Sequence, residues 1–350
     1  MQQQVHSEKG LPPFKVLVIR FSSIGDIVLT TPVLRCFRKA YPSGILHYLT
    51  KKSFGPLLEN NPHIDKLFLL EHDLQPIINE LRLQHYDFVI DLHNNLRSHR
   101  VIRELKVESG SFAKLNIQKW LLTNLKLDLM PRESIVSRYL AAGASIGIKD
   151  DGRGLDYYLP ANPQIASNDI PVSHWGGYVG CVIGGSYATK QLPVASWKQC
   201  CADTPFPIVL LGGPEDKASG DEIASIDPLK IYNSCGKFSL SESAELVRYA
   251  RVIVTNDTGL MHIAAAFRKP IISLWGNTTP DMGMFPYYGG NDLLHQSALS
   301  AMLQKAGLGC RPCSKLGFHS CPKGHFSCMQ GLDMAEAVTL TRGFWSTRPS

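Results

Sequence analysis

Four polar clusters, each closing an apolar run, hold the residues of this chain that could do chemistry. The first is Phe21-Ser22-Ser23-Ile24-Gly25-Asp26. A carboxylate at a strand-to-helix turn beside a cleft can take a proton as a general base, or it can do no more than complement the helix dipole. The residue types alone leave both readings of Asp26 open. The second cluster is Gly184-Gly185-Ser186-Tyr187-Ala188-Thr189-Lys190. Two glycines free the backbone to wrap an anion, Ser186 and Thr189 offer hydroxyls, and Lys190 supplies a positive charge. The closing Gly-Lys-Ser/Thr of a P-loop is missing, so the expectation is a phosphate contact of another kind. The third, Gly212-Gly213-Pro214-Glu215-Asp216, puts carboxylates where a ribose could be held by its two hydroxyls, or where a helix could be capped. The fourth, Asn256-Asp257-Thr258-Gly259, opens a helix. Asp257 or Thr258 can cap it, Gly259 permits close approach, and the free N–H groups of its first turn make an anion site.

These clusters need a scaffold, and the apolar pattern supplies one. Continuous apolar runs at 15–20, 47–50, 67–70 and 88–92 read as buried parallel strands separated by helical stretches. The pattern restarts at 178–183, 207–211, 252–254 and 271–275. Pro32 falls about a turn after Asp26, which predicts a late or kinked helix there. Met261, Ala264, Ala265 and Ala266 form a small-residue helix that Lys269-Pro270 ends. Another strand end, His93-Asn94-Asn95-Leu96-Arg97-Ser98, could face the same cleft, and Arg97, Arg100 and Arg103 share one helical face. They could grip acidic groups of a substrate or merely be solvated. Strand-helix alternation with polar strand ends predicts doubly wound α/β domains whose ligands lie at the carboxyl edges of the strands.

At 350 residues the chain exceeds one typical domain. The expected map is a flexible N-terminus at 1–14, a first domain at 15–155, a proline-bearing linker at 156–172 and a second domain at 173–332. A last helix follows at 333–350. The hydrophobic share of 44% and charged share of 19% exclude a disordered or fibrous chain. No run approaches the ~18 apolar residues of a membrane span. The first residues have neither the apolar core nor the cleavage site of a secretory signal, so a cytoplasmic protein is expected. The formal charge of +6 permits an acidic substrate or an anionic membrane surface. No dense basic patch interleaved with aromatic residues argues for nucleic acid.

Of nine cysteines, Cys36, Cys181, Cys200, Cys201 and Cys235 lie in apolar or mixed segments and are expected to be buried and reduced. Cys310, Cys313, Cys321 and Cys328 crowd the tail with His319 and His325. Their spacing is not that of a regular zinc finger or ribbon, and a structural metal, reduced thiols and redox-paired cysteines all stay open. The stretch KLNIQKWLLTNLK, residues 114–126, is basic and amphipathic. It could rest on an anionic membrane, but core packing is the expectation.

Taken together, VLVIRFSSIGDIVLTTPVLR, IGGSYATKQLP with LLGGPED, and TNDTGLMHIAAAFRKPIISLWGNTTP resemble the pattern of glycosyltransferase family 9, the ADP-heptose:lipopolysaccharide heptosyltransferases. The tail CRPCSKLGFHSCPKGHFSCM is similar to the cysteine-bearing end of family members, and the likeness runs from about Lys15 to about Met329. The resemblance implies a GT-B fold of two facing Rossmann-like domains with parallel sheets, and a C-terminal helix crossing back to the first domain. It implies an inverting, metal-independent transferase with Asp26 as base and with Gly25, Gly185, Ser186, Lys190, Glu215, Asp257, Thr258, Gly259, Leu260 and His262 around an ADP-sugar donor. Asp216 competes with Glu215 for the ribose. His93, Asn94, Arg97 and Arg100 are the expected acceptor contacts, no cofactor is expected, and the partner is a lipid-linked glycan at the cytoplasmic face of the inner membrane. Relatives with paired threonines upstream of the lysine differ from this chain, which has Gly185-Ser186 there. Two other readings are a nucleotide-sugar epimerase of the same fold and a non-catalytic nucleotide-binding protein.

Overall fold

The computed structural model describes residues 12–162, 164–166, 168–290 and 298–347. The first domain runs β1 (Lys15–Ile19), α1 (Ile24–Val28), α2 (Thr31–Ala40), β2 (Ile45–Lys51), β3 (Lys66–Leu70), α3 (Leu74–Arg82), β4 (Phe88–Asp91), α4 (Leu96–Leu105), β5 (Ser109–Ser111), α5 (Asn116–Trp120) and α6 (Ile135–Ala141). The second runs β6 (Val179–Val182), α7 (Val194–Asp203), β7 (Ile208–Leu211), α8 (Lys217–Ala224), β8 (Ile231–Asn233), α9 (Leu240–Tyr249), β9 (Val252–Asn256), α10 (Gly259–Ala266), β10 (Ile271–Trp275), β11 (Ser300–Gln304), α11 (Ser327–Gln330) and α12 (Met334–Ser346).

Each domain is a parallel sheet, ordered β3-β2-β1-β4-β5 in the first and β11-β10-β9-β6-β7-β8 in the second. In both, the chain winds outward to one side, returns to the middle and winds out to the other. The reversals fall between β1 and β4 and between β6 and β9, where a crevice opens at the carboxyl ends of neighbouring strands. Burial on both faces explains why these strands read as unbroken apolar runs. Val16, Val18 and Tyr48 join Val182, Val209 and Ile253 in one core shared by the two sheets. Leu17, Ile19 and Leu49 cover the outer face of the first sheet, and Cys181, Leu210 and Val254 that of the second.

The proline after Asp26 acts as expected: α1 stops at Val28, and α2 begins at Thr31 with the proline in its first turn. The connection between domains is fastened at its start. Buried Arg35 on α2 bonds Asp151 at 2.7 and 2.8 Å, the Gly154 carbonyl at 2.9 Å and the Asp156 carboxylate. Further on, the Gln164 and Ile165 N–H groups donate to Glu245 of α9, at 2.5 and 3.1 Å.

Two expectations are corrected here. The last helix, α12, does not return to the first domain. Met334, Ala337 and Val338 fill the outer core of the second sheet, Trp345 stacks on Phe206 at 4.0 Å, and Arg342 donates to the Asp203 carbonyl at 3.2 Å. Its apolar stripe is satisfied by its own sheet. Residues 114–126 do not pack into the core either. They form α5 and a single wider π turn in which Leu122 is buried while Ile117, Trp120 and Leu125 stand in solvent. Positive φ at Leu115 and Lys126 breaks the helical register at both ends, so one apolar stripe never forms. Residues 1–11 of the expected flexible N-terminus, and 348–350 of the last segment, lie outside the described residues.

Candidate active site

Asp26 sits in the first turn of α1, at the mouth of the crevice between β1 and β4. Its Oδ1 is 2.7 Å from Arg20 Nη2, and its Oδ2 accepts from the Ser23 hydroxyl at 2.8 Å and the Ser23 N–H at 3.2 Å. The Tyr139 hydroxyl donates to Oδ1 at 3.3 Å. Burial pushes this carboxyl up, but Arg20, Ser23 and His262 more than offset it and hold it below the ordinary carboxylate range. The side chain keeps 20% of its surface open, so an ionised acceptor of protons is reachable from the cleft. Arg20 is itself fixed: Nε donates to the Ser22 carbonyl at 2.7 Å, Nη1 to the Leu92 carbonyl, and the guanidinium lies 5.6 Å from the Tyr139 ring and 5.9 Å from Phe112.

On the facing domain, β9 ends in Asn256, whose amide donates to the carbonyls of Ile183 and Gly184 at 2.9 and 3.1 Å and so ties the two central loops together. Asp257 follows. Its Oδ2 is 2.5 Å from Lys190 Nζ and accepts from the Thr278 hydroxyl at 3.0 Å. Thr258 is the N-cap of α10 but makes no side-chain cap, so the N–H groups of that first turn are not occupied by a capping side chain. Free donors at a helix start favour an anion.

The two helix starts meet. A Cβ on Gly25 would lie 2.5 Å from the His262 ring, and a Cβ on Gly259 would lie 2.6 Å from Ile24. Only hydrogen fits at either position. His262, buried beneath this crossing, feels both Asp257 and Asp26; burial pulls it down to about 4, so its ring is neutral near pH 7. Its Nδ1 has no hydrogen-bond partner among the described residues.

The remaining expected residues fall into place unevenly. Gly185 is held by Gln191, which donates to its carbonyl at 2.8 Å, and Ser186 is exposed on the same loop. Thr189 spends its hydroxyl on the Phe318 carbonyl at 3.1 Å, so it does not offer a phosphate contact. Asp216 is buried and accepts from the Gly213 N–H at 2.9 Å, while Glu215 is exposed at the strand end. Leu260 is half-buried beside Gly259. Of the acceptor candidates, His93 packs edge-on to Phe21 at 5.1 Å and Arg97 lies over the same ring at 5.6 Å. Asn94 is committed to the Phe112 carbonyl at 3.0 Å and to His99 at 2.9 Å. Arg100 donates instead to Gln75 on α3 at 2.6 Å, so its guanidinium serves helix packing.

Arg20, Tyr139, Asn277 and Thr278 are candidate site residues to which the motifs assign no role, while Ser23, one of two serines the sequence offers as the cap of α1, is that cap. Arg20 closes a buried strand, and a charge in that place is a signal the sequence carries. Asn277 and Thr278 follow β10 as Asp257 follows β9, and both amide atoms of buried Asn277 lack a partner among the described residues. Tyr139 arrives from a distant helix and leaves no local mark. The cysteine tail braces this region: Arg311 donates to the carbonyls of Gly276 and Thr278 at 2.5 and 2.8 Å, and the Cys313 N–H to that of Asn277 at 2.9 Å. All nine cysteines are free thiols, and among the described residues no three His, Cys, Asp or Glu side chains are grouped to hold a metal ion.

Comparison with known proteins gives the site a family. Lipopolysaccharide heptosyltransferase 2 of Escherichia coli K12 is 25% identical over 292 residues, covering 76% of this chain and 84% of that protein. A family 9 glycosyltransferase from Veillonella parvula superposes with a TM-score of 0.73 at 19% identity, covering 95% and 97% of the two chains. An E. coli heptosyltransferase solved with ADP gives 0.63 at 18% identity, covering 95% and 100%. The fold is therefore GT-B. Residues 75–303 match the model of glycosyltransferase family 9 (heptosyltransferase), and the chain belongs to that family.

Proposed function

We propose that this glycosyltransferase moves a heptose from ADP-heptose onto the core of a lipopolysaccharide, with inversion at the anomeric carbon. The observation that carries the reading is the meeting of an ionised Asp26 with the uncapped helix start at Thr258-Gly259 across the domain boundary. An acceptor hydroxyl is a weak nucleophile, and Asp26 takes its proton as the oxygen attacks the anomeric carbon from the side opposite the nucleotide. The bond to the diphosphate lengthens, the sugar gains oxocarbenium character, and negative charge collects on the departing phosphate. Lys190 and the α10 N–H groups stabilise that charge, and Asp257 keeps Lys190 aimed. Glu215, exposed at its strand end, takes the ribose hydroxyls; Asp216 is already spent on its own turn. His93 and Arg97 lie on the acceptor side, where the positive field suits an acidic glycan. The relatives' names support the choice of sugar and acceptor, and an acceptor of that kind would be met at the cytoplasmic face of the inner membrane.

Calorimetric titration with ADP, UDP, GDP and CMP, with and without EDTA, followed by a transfer assay with ADP-heptose, tests the proposal. ADP-selective binding unaffected by EDTA, with α-to-β or β-to-α inversion in the product, is the expected result. Preference for another nucleotide would overturn the donor, and a product still carrying its nucleotide would overturn the transfer.

A further inference from the structure

Beside Asp26 the structure gathers more positive charge than it neutralises. Residues 112–132, between β5 and α6, run from the first domain across to the second. At the near end the Phe112 carbonyl accepts from the Asn94 amide at 3.0 Å, and the Phe112 ring lies 4.9 Å from that of Tyr139. The Ala113 carbonyl accepts from Arg138 of α6 at 3.3 Å. Lys114 follows directly, where the loop after β4 and α6 meet. At the far end Lys126 Nζ donates to the carbonyls of Cys310 and Pro312 at 3.0 and 2.7 Å, and Leu122 and Met130 pack on Met282. That fastening brings Lys315 of the second domain into the range of both Lys114 and Lys119.

Three ammonium groups meet there without a counterion. Those of Lys114, Lys119 and Lys315 have no hydrogen bond or ion pair among the described residues. Lys114 and Lys119 are half-buried, and Lys315 is exposed. Burial pulls Lys119 down to about 8; Arg138 on α6, Lys315 on the tail and Arg20 on β1 push the same way, and only Asp26 on α1 opposes them. Burial, Arg20 and Lys315 lower Lys114 against Asp91. Both carboxylates are already engaged. Asp26 is paired with Arg20, and Asp91 accepts from the His93 and Asn94 N–H groups at 2.9 and 2.7 Å and from the Ser98 hydroxyl at 2.7 Å. Buried Arg138 also leaves its Nε without a hydrogen-bond partner, the Glu133 carboxylate being 4.0 Å away. Like charges held together and partly out of water are costly until an anion joins them.

We propose that Lys114, Lys119 and Lys315 form a subsite for an anionic oxygen group, carboxylate or phosphate, that the acceptor carries close to its reacting hydroxyl. Three point charges on flexible stems suit such a group. Position decides which substrate it serves. The donor's diphosphate has Lys190 and the α10 start on the second domain, whereas this cluster lies on the Asp26 side of the cleft. Lys315 comes from the second domain, so the bound anion is held by both halves and sets the acceptor's register against Asp26. The inference rests on the proposed transfer and names the chemistry of its acceptor.

One arm of the test needs no sugar. The whole protein, with 13C-methyl labels on its lysines and its donor site saturated with ADP, is titrated with inorganic phosphate and with acetate and followed by NMR. The Lys114 and Lys119 signals, assigned with Lys114→Gln and Lys119→Gln, should move, and the Lys119 titration near about 8 should rise as the anion favours the charged form. Lys119→Gln with Lys315→Gln should weaken that binding about tenfold or more, with the Kd for ADP unchanged. In the second arm, transfer to an acidic acceptor is compared with transfer to the same acceptor after its carboxylates are methylated or its phosphates removed. The treatment that raises KM identifies the group, and the double variant should lose about tenfold of the preference for the charged form. No response to either anion, or a response that survives the double variant, overturns the inference; so does an acceptor preference that the double variant keeps. An intact anion response without transfer from ADP-heptose would count against the proposed function instead, so the two failures are told apart.

Discussion

At the scale of single residues, the proposed chemistry depends on how Asp26 is held. Replacing Asp26 with Asn should leave ADP affinity unchanged and lower kcat by ~10²–10⁴-fold, the usual contribution of a positioned base; an active variant would remove it from that role. The pH dependence follows from the sign of its shift. Burial raises the carboxyl and Arg20 with Ser23 lowers it further, so it ionises below the ordinary range and activity is lost only as pH falls through that depressed value. Arg20→Gln removes the largest opposing charge and leaves the burial, so the acid limb of kcat/KM should move toward neutral pH. A limb that stays in place would mean that the pair at 2.7 Å does not set the ionisation. Lys190→Ala should raise the Kd for ADP by about 10- to 100-fold, the range of a charge-assisted hydrogen bond. Asp26 and Lys190 stood out as candidates in the sequence because each follows a strand end with a glycine nearby, and the role of Asp26 as base came from the family resemblance. Tyr139 was not, because its approach to Asp26 spans 113 positions of chain.

At the scale of elements, the decisive fact is that α1 and α10 start in contact through glycines. Gly25→Ala would force the His262 ring to move from a gap where a Cβ has only 2.5 Å. The expected result is a loss of turnover of about tenfold or more with the far-ultraviolet circular dichroism unchanged, since neither helix needs that glycine for its own hydrogen bonds. The sequence announced the glycines but not that they face each other. It announced the long buried strands as well, because parallel strands covered on both faces read as unbroken apolar runs. The edge strands β5, SGS, and β8, IYN, were missed for the converse reason: their pairing is set by the neighbouring strand rather than by their own side chains.

At the scale of the whole molecule, the glycine crossing joins the two domains, and the Arg35 anchor fastens the start of the connection between them. Asp151 is lowered from 3.8 to about 2, first by its hydrogen bond to Arg35. A carboxyl depressed in the folded state stabilises fully above its unfolded value, and that share is lost as pH falls through about 2. Arg35→Met should therefore shift the acid-unfolding midpoint upward, as read by circular dichroism, because the carboxylates lose their partner on burial. Composition and period gave the two-domain plan. Where the last helix lies was not legible, since an apolar stripe states that a helix is covered and not by what.

The glycine crossing also bears on how such a chain can be recombined. Each domain brings one bare backbone surface to a single shared contact, so neither surface has a meaning on its own. A hybrid joining this first domain to the second domain of another transferase would keep the catalytic spacing only where the incoming helix start also lacks a side chain. A methyl group on either side would act as a shim, setting the proton acceptor and the leaving group apart however well each half folds.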